Sequence, residues 1–131
     1  MTMLDTPTYT LPIIAHAIDH TEAATGVLAS RCGLTHPGRA DLYDEQRAVA
    51  LVCAGALGAA TALRVNIAEL PRMLDEHPEA RWAVLANHPF DPDGLALYAD
   101  DGSLPLRVLS FTLDLAYART QLRCSALGWA L

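Results

Sequence analysis

The sequence contains no lysine. Its nine basic residues are all arginine, and they stand singly rather than in groups. With a formal net charge of −6, that pattern argues against unaided binding to nucleic acid, which needs cations clustered against phosphate. The acidic excess is also too thin, over 131 residues, to imitate a nucleic acid. Only three cysteines are present, Cys32, Cys53 and Cys124, without C-x-x-C or Cys/His ligand spacing. A disulfide framework is therefore not expected, and the reading is of reduced core thiols in a cytoplasmic protein. The opening MTMLDTPTYT lacks the basic start and apolar core of a signal peptide. No nucleophile elbow and no Gly-rich phosphate loop occur, so neither acyl transfer nor nucleotide chemistry is indicated and no cofactor is expected.

Long apolar runs are missing too. The longest uncharged stretch, Ala48 to Leu63, has 16 residues. That falls short of the ~20 needed to cross a bilayer, so no membrane span is expected. What the chain does have is apolar residues, 52% of the total against 18% charged. Its length fits one domain, expected over 10–131 after a flexible lead-in at 1–9.

The central stretch is Gln46–Leu63, QRAVALVCAGALGAATAL, uncharged from Ala48 onward. A helix apolar on every side is expected to be buried on every side. Ala54 with Gly58, and Gly55 with Ala59, stand four apart and form flat strips that another helix or a flat ligand could approach closely. This segment lies in an expected second helix at 42–64, capped by Asp41.

The other elements follow from breakers and periodicity. Thr10-Leu11-Pro12 opens a first helix at 11–32, ended by Gly33. Asn66 and Glu69 form a capping pattern for a third helix, which Pro71 enters in its first turn. Pro78 breaks that helix into pieces near 67–76 and 78–87, the second anchored by Trp82. Asn87–Gly94 is rich in turn formers. Leu95–Ala99 reads as a short extended piece, and a last helix runs from about 104 to 129. Its apolar stripe is Ala116, Thr120, Cys124 and Leu127, continued by Leu106, Leu109, Leu113 and Leu131. Phe111, Leu115, Leu122 and Trp129 lie outside the stripe, more apolar surface than one neighbour can cover. The expected fold is all-α: a four-helix bundle-like domain with a broken third helix and at most a two-stranded ribbon near 95–105.

Three groups of residues could carry chemistry. His16 and His20, four apart on a helix with Asp19 between, could share a metal ion or serve as an acid–base cluster. Further ligands would come from Glu22, His36, His77 or His88. In the turn, His88, Asp91 and Asp93 could line a pocket mouth, and His36-Pro37-Gly38-Arg39 could offer an anion one basic contact. None of these matches a motif that specifies a reaction, and whether the chain is an enzyme stays open. The expected function is a non-catalytic helical interaction protein that pairs with itself, as a homodimer, or with another protein. The alternative is a small-molecule enzyme or ligand-binding protein. It would hold a small apolar ligand between helices, with His16/Asp19/His20 or His88/Asp91/Asp93 as its polar groups.

Overall fold

A computed structural model describes residues 8–35, 42–86, 94–99 and 110–130. The chain is mostly helical, as the sequence indicates, with two antiparallel sheets set into it. Strand β1 (Thr8–Thr10) runs straight into helix α1 (Leu11–Ala17), and β2 (Leu42–Asp44) runs straight into α3 (Glu45–Leu57). The two strands pair with Tyr9 opposite Tyr43, and both tyrosines are buried. This ribbon therefore fixes the starts of α1 and α3 side by side.

The expected first helix is two helices. Asp19 adopts left-handed backbone (φ 57°), and the amides of Asp19 and His20 bond back to the carbonyls of His16 and Ala15. That is a Schellman ending, with aspartate where glycine is usual. Thr21 then caps α2 (Glu22–Arg31) by accepting the Ala24 amide at 3.0 Å. The end of α2 repeats the device with the residue the sequence indicates. Gly33 takes φ 70°, and the Leu34 amide donates to Ala29.

The second helix also differs from expectation. Asp41 lies outside the described residues; the cap is Asp44, which accepts the Arg47 amide at 3.0 Å and pairs with its guanidinium. Residues 42–44 are extended rather than helical. Gly58, at φ 88° and ψ 151°, ends α3 and starts a separate α4 (Ala59–Arg64). Every residue from Ala48 to Ala54 is buried, so this half of the central segment is wrapped as expected. Beyond it, Ala56, Gly58, Ala60 and Leu63 are exposed: the segment is all-apolar throughout but buried all round only in its first half.

Asn66 is left-handed and gives no side-chain cap; its carbonyl instead accepts the Glu69 amide in a single 3₁₀ turn, Ile67–Glu69. Helix α5 (Leu70–Glu76) follows, with Pro71 in its first turn and its end at His77 before Pro78, both as expected. The second helical piece at 78–87 is not formed. Trp82–Ala86 is strand β3, the middle strand of a three-stranded sheet between β4 (Gly94–Tyr98) and β5 (Ser110–Asp114). An apolar run of five residues after a proline cannot be assigned to helix or strand by periodicity alone. Here pairing on both sides selects the strand. The two-stranded ribbon is thus replaced by this sheet. Trp82 is only partly buried, with the Arg81 guanidinium 4.9 Å from its ring centroid, so it is not the core anchor expected.

The last helix, α6, spans Leu115–Ala130 rather than starting near 104, because 110–114 are drawn into the sheet. Asp114 caps it by accepting the Tyr117 amide, and the Leu115 amide donates to the Arg81 carbonyl at 2.8 Å. These bonds set the helix's rotation. Leu115, Ala118, Leu122 and Ser125 face the core, whereas the stripe read from the sequence, Ala116, Thr120, Cys124 and Leu127, is not the buried face. Six α-helices, not four, are present among the described residues, with α3 at their centre against α1, α2, α5 and α6. No described helix is long and apolar enough to cross a membrane.

Two of the three thiols lie in the core and one does not. Burial pushes the Cys53 thiol up to about 12 and raises Cys32, which Arg31 partly opposes; both are thereby kept from the reactive thiolate form. A thiol reagent added to the folded protein at neutral pH is expected to modify Cys124 alone. Mass spectrometry after limited labelling checks this, and labelling of Cys53 at a similar rate would contradict it.

Candidate functional site

The Schellman turn at Asp19 separates the two histidines that the sequence sets four apart. His16 lies in the last turn of α1, whereas His20 lies beyond the turn, so the two do not share a helix face. The His16 Nδ1 is 3.0 Å from the Ser125 hydroxyl, and that hydroxyl donates to the Ile13 carbonyl at 2.8 Å. A serine has one proton to give, so Nδ1 must carry the proton shared with Ser125. The imidazole therefore cannot draw the serine's proton through that nitrogen, and the pair ties α1 to α6 instead of priming a nucleophile.

The Nδ1 of His20 donates to the Ile18 carbonyl at 2.7 Å, since a carbonyl can only accept. Asp19 is exposed in the turn. Glu22 is exposed at the start of α2, and His77 lies 3.8 Å from Glu79 on the surface. No three His, Cys, Asp or Glu side chains gather in metal-binding geometry among the described residues. His36, Arg39, His88, Asp91 and Asp93 lie outside the described residues.

What the fold does bring together is a cleft of about 210 Å³ between α2 and the α3–α4 elbow. One wall is Ala24, Val27 and Leu28, a three- and four-residue spacing on α2. The floor is the small-residue strip itself: Ala54, Gly55, Gly58 and Ala59. The Ile18 side chain, from the turn after α1, sits over Gly55, where an added Cβ would come within 3.2 Å of it. Over Gly58 the space is open, with nothing within 4 Å of an added Cβ. Among the described residues the polar ones in the lining are His20 and Arg31, near opposite ends of α2.

A second polar group escaped the sequence reading. Glu45, in the first turn of α3, is paired with Arg123 of α6 at 3.1 Å, its side chain 14% exposed. Beside them lies the buried Tyr9 hydroxyl, which makes no well-aligned hydrogen bond among the described residues. Burial first, then the Glu45 carboxylate, push its phenol above the ordinary value, with Arg123 acting against them. Tyr9 is thus a neutral buried side chain joining β1 to α3 and α6. The sequence signal for it was the Thr-Tyr-Thr alternation before Pro12, which places the tyrosine inward.

Comparison with protein-family models, with curated proteins and with solved structures finds no match to the chain.

Proposed function

We propose that this chain is a non-catalytic helical interaction protein that pairs with itself through the outer face of α6. The observation that carries the reading is on that helix. Leu127 is 69% exposed and Tyr117 60%, and they share the face of Thr120 and Cys124, three to four residues apart at each step. Burying such side chains removes apolar area from water, and tyrosine is favoured at interfaces. A two-fold contact is the commonest way a protein covers a face of this kind.

Sedimentation velocity at micromolar concentration tests it. The wild type is expected to run as a dimer. Leu127→Glu, which places a carboxylate in the contact, is expected to weaken association at least about tenfold, since burying an unpaired charge costs more than 1.4 kcal/mol. The helix content and melting temperature of this variant should stay close to wild type, because the substituted position is exposed. A wild type that remains monomeric at the highest concentrations rules the reading out.

The ligand-binding alternative draws support from a different place, the cleft with His20 at its edge. Catalysis draws less support, because the best-formed His–Ser contact has its protons arranged for structure.

A further inference from the structure

We propose that the cleft between α2 and the α3–α4 elbow binds a small carboxylate with an apolar body, such as a medium-chain acyl or aryl acid. This inference rests on the ligand-binding reading and is independent of the α6 contact.

Three observations converge on that ligand. The first is size. At about 210 Å³ the cleft lies below the roughly 300–1,000 Å³ of sites for drug-sized molecules. From Ala24 to Arg31 it follows α2 for about 10 Å, at a rise of ~1.5 Å per residue. The second is lining: alkyl side chains on the wall, and on the floor Gly58, above which the space is open.

The third is charge. The chain carries 15 acidic and nine basic residues, yet among the described residues no acidic one lines this cleft. Arg31 stands at one end, and five other arginines are already engaged. Arg47, Arg72 and Arg123 pair with carboxylates. Arg81 lies over Trp82, and Arg119 donates to the Ala80 carbonyl. Arg31 has no carboxylate partner among the described residues. A guanidinium without a counter-ion beside an apolar slot suits a headgroup that is anionic and planar, with the tail lying along α2. His20, its Nδ1 engaged with Ile18, lines the far end.

Octanoate and its uncharged counterpart octanol are the probes, followed by amide chemical shifts on ¹⁵N-labelled protein. Octanoate is expected to move the Ala24, Leu28, Gly55 and Ala59 amides saturably, and octanol to move the same set with lower affinity. Arg31→Gln is expected to weaken octanoate about fivefold, the upper end for a solvent-facing ion pair, and to leave octanol unchanged. Ala24→Phe, at an exposed wall position, is expected to abolish both.

The proposal is overturned if octanoate gives no saturable shift in the cleft. It is also overturned if those amides move when the protein alone is concentrated, which assigns the cleft to a second copy. Equal binding of octanol and octanoate, unaffected by Arg31→Gln, keeps a ligand cleft but removes the carboxylate. Binding that persists in Leu127→Glu while the dimer is lost supports the proposal and separates the two surfaces.

Discussion

Gly58→Ala is expected to destabilise the protein by about 2 kcal/mol, although the added methyl group touches nothing. At φ 88° and ψ 151° the residue occupies a region of backbone space that is essentially reserved for glycine. Holding another residue there costs on the order of 1–3 kcal/mol. Nothing lies within 4 Å of the added Cβ, so no steric clash contributes and the whole loss is backbone strain. Gly128→Ala is the contrast: that glycine lies within α6 with equally open surroundings, and the change should be neutral or gain up to about 0.5–1 kcal/mol. Urea unfolding of both variants measures the difference. If Gly58→Ala loses nothing, α3 and α4 run on as one helix, and the elbow that forms one side of the cleft does not exist.

Leu51→Ala should be costlier still, at about 3 kcal/mol within the ~2–5 typical of buried leucines. Leu51 is fully buried at the centre of α3. Its neighbours on the same helix include Ala48, Ala50 and Ala54, which have no side chain long enough to swing into the space it would vacate. A cavity left open in this way would consume a large share of a typical stability of ~5–15 kcal/mol. The midpoint of chemical denaturation should fall with its slope unchanged. A loss below about 1 kcal/mol would mean that α3 is not the enclosed centre of the fold.

Much of the helical framework can be read from the sequence because its punctuation is strong. Pro12 and Pro71 enter first turns, Gly33 ends α2, and Pro78 stops α5, each for a reason that holds in any context. The misreadings have a common cause: the punctuation was present but disguised. Asp19 performs the role of a terminal glycine, an exception that short polar side chains allow. Gly58 stands among alanines and glycines, where nothing local distinguishes a helix end from a small residue chosen for packing. The strand at 82–86 owes its identity to pairing on both edges, with β5 well removed in sequence. In α6 the apolar residues ring the helix, so its rotation is decided by Asp114 and the Arg81 carbonyl, neither of which periodicity can weigh.

The candidate site divides along the same line. The small-residue strip and His20 were visible as local patterns, and they line the cleft. Arg31 was not singled out, because its distinction is the want of a partner among the described residues, a property of the folded surface. Nor could spacing reveal that His16 meets a serine 109 residues away.

The bond from the Ser125 hydroxyl to the Ile13 carbonyl spans 112 positions and seats the last helix against the first. During synthesis, then, α1 and α3 leave the ribosome with one flank bare, and that flank stays wet until α6 emerges. Cooperative closure of the core therefore has to await α6.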